Sequence, residues 1–223
     1  MKMTKKKVFA VALSVCLVAI ISMGTLAWFT DTDRVDNIFN VTTSDQTGDA
    51  DFSIELFETE VIPATGAHGD GDGDGTIEEV KGNTYNNLVP NATLAKDPTV
   101  RNTGSYDQWV RVKVTFTDYL TWCAVMGNNY DCTETLIGID ATKWTKDTAV
   151  EVAANGDSVT YTYYLNTKLV ADATETLFTN VKIPSDFEVD TIFAQFELDL
   201  VAEAVQADYT GTTAQEAFAL VMP

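Results

Sequence analysis

Val110-Arg111-Val112-Lys113-Val114-Thr115-Phe116 decides the fold. Apolar residues at 110, 112, 114 and 116 alternate with Arg111, Lys113 and Thr115, the period of a strand with one buried face. A helix would scatter those charges around its circumference; a strand gathers them on one side. The same period appears in Phe52-Ser53-Ile54-Glu55-Leu56. It returns in Val159, Tyr161, Tyr163 and Leu165, opposed by Thr160, Thr162 and Tyr164. A longer row is Ala194, Phe196, Leu198, Leu200 and Ala202, with Gln195, Glu197, Asp199 and Glu203 facing out. Asn155-Gly156 falls between two such runs and suits the positive φ of a hairpin turn. Further turn signals stand at Asn102-Thr103-Gly104, Gly127-Asn128-Asn129 and Ile183-Pro184-Ser185. Short alternating strands separated by turns predict an all-β fold, an antiparallel β-sandwich of jelly-roll type. Thr213-Ala214-Gln215-Glu216 reads as a capping box opening a short C-terminal helix that carries Phe218, Leu220 and Val221. Trp109, Trp122 and Trp144 are expected in or near the core.

The 223 residues suit one domain with extras, and 33 acidic against 14 basic side chains give a formal charge of −19. Lys2, Lys5, Lys6 and Lys7 precede Trp28, and every Asp and Glu follows it, so the body is more acidic still. Such a surface repels phosphate backbones and excludes nucleic-acid binding through a basic face. An apolar share of 45% argues against wholesale disorder.

After the lysines the chain runs apolar from Val8 to Phe29, the layout of a secretory signal. Small residues at Thr25 and Ala27 place cleavage between Ala27 and Trp28. The run is also long enough to remain as a membrane anchor, and either way the body lies outside the cell. The domain expectation is a signal helix at 1–27, an N-terminal arm at 28–44, and a sandwich at 45–223 with an acidic Gly/Asp loop at 66–79.

Lys5-Lys6-Lys7, the apolar run and Gly24-Thr25-Leu26-Ala27-Trp28-Phe29-Thr30-Asp31 together resemble the signal segment of Gram-positive proteins processed by the SipW-type signal peptidase. That group includes the TasA fibre proteins and the camelysins. Lys96-Asp97-Pro98-Thr99-Val100-Arg101-Asn102-Thr103-Gly104, leading into Trp109-Val110-Arg111-Val112, is similar to a block shared in that family. Ala202-Glu203-Ala204-Val205-Gln206-Ala207 is a third such block. The resemblance implies a jelly-roll-like sandwich, a SipW-type signal peptidase as processing partner, and a place outside the cell.

Asp70, Asp72, Asp74, Gly75 and Ile77 match the first eight positions of an EF-hand-type calcium loop, with Thr76 and Glu78 at positions seven and nine. Position twelve calls for a bidentate Glu and holds Lys81. The alternatives are a weak calcium site at Asp70, Asp72, Asp74, Thr76 and Glu78, or a solvated acidic loop with no cofactor. Cys123 and Cys132 are the only cysteines after the signal. In an exported chain they form either a disulfide or two separately buried thiols. His68 is the sole histidine, so a two-histidine metal site cannot be built. Camelysins are described as metalloproteases; the absence of a His-Glu-x-x-His motif makes a protease the third choice, and the expectation is no enzyme.

Cleavage after Ala27 would leave Trp28 and Phe29 at a new N-terminus, followed by Val35, Ile38, Phe39 and Val41. This apolar arm either folds back onto its own sheet or adds as a strand to a neighbouring molecule. The resemblance to TasA-like proteins implies the second arrangement. The functional expectation is a secreted or cell-surface structural protein, a biofilm-matrix fibre subunit that binds itself or related matrix proteins through Trp28, Phe29, Val35, Ile38, Phe39 and Val41. The alternative is a monomeric, secreted or wall-associated binding module whose acidic loop recruits calcium or a cationic partner.

Overall fold

The computed structural model describes residues 30–35, 52–86, 89–187, 197–208 and 210–221, the first of these as backbone. The signal segment lies outside the described residues. Among them, the strands in chain order are β1 (Thr30–Val35), β2 (Ile54–Thr59), β3 (Val61–Ile62), β4 (Ala67–His68), β5 (Glu79–Val80), β6 (Thr93–Ala95) and β7 (Thr99–Asn102). They continue with β8 (Gln108–Thr117), β9 (Leu136–Ile137), β10 (Trp144–Val152), β11 (Ser158–Leu165), β12 (Thr174–Thr176), β13 (Asn180–Lys182) and β14 (Leu198–Gln206). Two helices accompany them, α1 (Tyr119–Met126) and α2 (Ala214–Val221).

One five-stranded sheet has the order β1-β14-β8-β11-β10, and a four-stranded sheet has the order β12-β7-β2-β5. The strand that decides the fold, β8, lies at the centre of the larger sheet between β14 and β11, antiparallel to both. Val110, Val112, Val114 and Phe116 are completely buried, in one core with Ile54 and Leu56 of β2 and Val100 of β7. Two sheets sharing a core are the sandwich that the alternation predicts. Leu198, Leu200, Ala202 and Ala204 of β14 continue the buried row. The predicted hairpin joins β10 to β11: Gly156 sits at φ 76° and the Ala153 N–H donates to the Ser158 carbonyl.

The other face of the large sheet is not wholly polar. Arg111 pairs with Glu203 across β8 and β14, and Thr115 meets the Thr160 hydroxyl at 2.8 Å. Tyr164, expected on the solvent side, is buried, because α2 lies over it. Trp109, Tyr164 and Val205 form a second apolar cluster with Ala214, Ala217 and Phe218 of the helix. The Arg111 guanidinium sits 4.3 Å from the centre of the Phe218 ring. Leu220 of that helix is 65% exposed. The cap is also shifted by one residue. The Glu216 N–H donates to Thr213 Oγ1, but its carboxylate accepts from the N–H and hydroxyl of Thr212.

Helix α1 has no counterpart in the sequence reading. Tyr-Leu-Thr-Trp-Cys-Ala-Val-Met is apolar at nearly every position, so neither period stands out. It begins after Asp118 at φ 55° and stops at Gly127 at φ 109°. Its Trp122 is almost wholly buried and packs edge-on against Phe116 and Phe187, with ring centres 5.7 and 4.7 Å apart. Trp109 and Trp144 are buried too.

Candidate functional site

The arm enters the fold through β1, which pairs with β14 in unbroken antiparallel register from Thr30 opposite Val205 to Val35 opposite Leu200. In the single chain this part of the arm therefore lies on its own sheet, one of the two arrangements left open by the sequence. Val35 is the only apolar arm residue within the strand. Trp28, Phe29, Ile38, Phe39 and Val41 lie outside the described residues, as does the expected cleavage point at Ala27. Among the described residues β1 ends the sheet, and without it β14 would end it instead.

The acidic loop is closed by its own backbone. Asp70 accepts hydrogen bonds from the N–H groups of Gly73 and Gly75, at 2.5 and 2.7 Å. Those donors, Gly75 above all, hold its carboxyl below the usual range. Asp72 accepts from the Asp74 N–H, and Asp74 from the N–H and hydroxyl of Thr76. Of the five expected ligands only Asp70 and Asp72 come together, and the third carboxylate beside them is Glu60, within 4.8 Å. Asp74, Thr76 and Glu78 remain outside that group. Buried Glu60 accepts from the N–H groups of Gly71 and Asp72, so it anchors the loop to the end of β2. Its signal in the sequence was weak: one more Glu in an acidic chain. Three carboxylates offer the oxygen donors that a hard cation prefers.

In this structure Cys123 and Cys132 are free thiols, Cys132 buried and Cys123 half-buried. Cys132 is completely buried at the start of a 3-10 turn, and burial pushes its thiol up to about 12. Its N–H donates to the Tyr161 hydroxyl at 3.1 Å. Cys123 lies on α1 and is half-buried.

A buried polar cluster escaped the sequence reading. Glu58 occupies the same strand parity as Ile54 and Leu56 and is completely buried. Lys96 Nζ donates to its Oε1 at 2.6 Å, and Asn83 Nδ2 donates to its Oε2 at 3.1 Å. Asn83 Oδ1 accepts the Val61 N–H at 3.0 Å. Asp97 accepts from both the N–H and the hydroxyl of Thr59, fixing the segment that carries Lys96 against β2. The available signal was a Glu at a core-facing position of an alternating strand.

The remaining polar residues of the block at 96–104 serve the fold. Arg101 bridges Glu55 and Glu79 and lies over the Phe57 ring. Asn102 donates to the carbonyls of Tyr106 and Leu169 and accepts the Gly104 N–H, forming the predicted turn. Comparison with protein families, curated proteins and solved structures returned no match. Among the described residues, no helix is long and apolar enough to cross a membrane.

Proposed function

We propose that the protein is an extracellular structural subunit whose N-terminal arm exchanges between molecules and builds a head-to-tail fibre. The observation that carries this reading is the position of β1. Among the described residues it is the first strand and an edge strand of the sheet, hydrogen-bonded to β14 alone while also lying near β2. A strand so placed can leave its own β14 and occupy the same place on the next molecule, making the same hydrogen bonds there. Such a contact is heterologous and propagates. The stretches resembling the start and end of the SipW-processed family also meet here, Thr30 and Asp31 opposite Val205 and Ala204. Net negative charge would keep unjoined subunits apart in solution. Removal of the signal segment would free the arm.

The test compares a chain beginning at Trp28 with one beginning at Ser44, by negative-stain electron microscopy and light scattering. Filaments from the longer chain alone are expected; monodisperse particles from both would sink the reading. A second reading, a calcium-using binding module, is favoured by Glu60 joining Asp70 and Asp72. Titration calorimetry with calcium checks it, and heat that persists in a Glu60→Gln, Asp70→Asn double variant would remove it.

A further inference from the structure

We propose that Lys96 and Asn83 become joined by an intramolecular isopeptide bond, with Glu58 carrying the proton between them. The three side chains are an amine, a carboxamide and a carboxylate, and each is at least nine-tenths buried. The amine and the amide nitrogen sit on the two oxygens of one carboxyl group, at 2.6 and 3.1 Å. A purely electrostatic pair needs only Lys96 and Glu58. The amide on the second oxygen adds an electrophile, and it is oriented at every polar atom. Asn83 Nδ2 also donates to the Thr59 carbonyl at 2.9 Å, while Oδ1 receives the Val61 N–H.

These contacts supply the parts of an amide exchange. Glu58 takes a proton from the Lys96 ammonium, leaving a neutral amine and removing both charges from a dry interior where they are costly. Lys96 Nζ attacks Asn83 Cγ. Negative charge then develops on Oδ1, where the Val61 N–H already points. Glu58 returns its proton to Nδ2, the Cγ–Nδ2 bond breaks and ammonia leaves, and the surplus proton on Nζ passes to the Glu58 carboxylate, so a neutral Cγ–Nζ amide remains beside a protonated Glu58. One C–N bond forms, one breaks, no electrons are transferred and no co-reactant is needed. Amide aminolysis is slow in water; fixed neighbours and exclusion of water are what accelerate it. The fixing is visible on both sides, through Asp97 to Thr59 for Lys96 and through the Thr59 carbonyl and Val61 N–H for Asn83. The phenol of Tyr85 covers the segment from outside by donating to the Ala95 carbonyl at 2.6 Å.

Intact mass spectrometry of the purified full chain decides the matter, followed by fragmentation of peptides spanning residues 83 and 96. The expected result is a chain lighter by one ammonia than its sequence, with a branched peptide joining Lys96 to Asn83. Lys96→Arg and Glu58→Gln are expected to restore the full mass. Ammonia can also leave through a succinimide at Asn155-Gly156, which Lys96→Arg would not prevent. A loss that persists in that variant, with no branched Lys96–Asn83 peptide found in the wild type, therefore overturns the proposal. So does a wild-type chain that is folded by near-ultraviolet circular dichroism and keeps its full mass after prolonged incubation. That second result needs no variant to fold.

Discussion

The two ends of the five-stranded sheet are built on opposite plans. At β10 the ladder to β11 breaks between Lys146 and Val150, and the strand carries Lys146, Asp147 and Glu151. Lys146 ties this edge to the adjoining loop, donating to Asp131 at 2.6 Å and to the Thr133 hydroxyl at 2.7 Å. A bulge and charges are the devices by which an edge refuses a foreign strand. At the other end β1 runs without a break, and β14 behind it is paired along its whole length with β8. An edge closed by a bulge and charges stands opposite an edge covered by the N-terminal strand β1. Under the proposed function, assembly would use the β1 side of the molecule and leave the β10 side alone.

The largest effects should follow from attacking the β14 side. Leu200 is completely buried, and Leu200→Ala should cost about 2–5 kcal/mol in urea unfolding. Val152 on β10 is 51% exposed, and Val152→Ala should stay within about 0.5 kcal/mol. Equal losses would erase the contrast between the two ends. Next in size is complementation of the truncated chain. A synthetic peptide covering residues 28–44 should bind the chain beginning at Ser44 and raise its thermal midpoint. At roughly a hundredfold excess over Kd the stabilisation is about 2.7 kcal/mol by mass action. A midpoint that ignores the peptide would mean that β14 does not accept the strand once it is separated.

The third effect belongs to β10 and depends on pH. Burial works to raise the Asp131 carboxyl, but hydrogen bonds from Lys146 and Thr133 outweigh it and hold the group below its ordinary range. A depressed carboxylate contributes stability that is complete above its unfolded value, near 3.9, and lost as pH falls through the folded value. Lys146→Met should therefore cost about 1 kcal/mol near neutral pH, discounted because the pair is partly exposed. The cost should shrink as the solution is taken below about pH 4. Urea midpoints of both chains across that range measure it, and a cost independent of pH would assign the loss to packing over the Tyr161 ring instead.

What the sequence disclosed follows from periodicity. Strands with one apolar face, β8, β11 and β14, announce themselves because burial acts on every second residue. Helix α1 did not, since its residues are apolar on all sides. The burial of Tyr164 was invisible because it depends on α2, which returns from far along the chain. Site residues divide in the same way. The Asp70–Asp74 spacing was legible locally, whereas Glu60 joins it only through the fold. Glu58 was readable in principle, a carboxylate in register with Ile54 and Leu56, but Lys96 and Asn83 reach it on two other segments that only the fold brings together.

The smallest effect concerns the thiols, which belong structurally to the β10 side. Cys132 hangs from Tyr161 of β11, the same ring that Lys146 covers at 4.6 Å. A thiol pushed up to about 12 by burial holds almost no thiolate at neutral pH, and thiolate is the form that alkylates. Folded protein treated with iodoacetamide should therefore carry label on half-buried Cys123 and none on Cys132. In denaturant without reductant both should react, because no bond joins them. Failure of both to react there would show a bridge between them. Closing that short loop would then add roughly 2.5–3 kcal/mol by the chain-entropy relation. The loop to which Lys146 of β10 is tied through Asp131 would then be closed covalently, which would make the contrast with the β1 edge sharper.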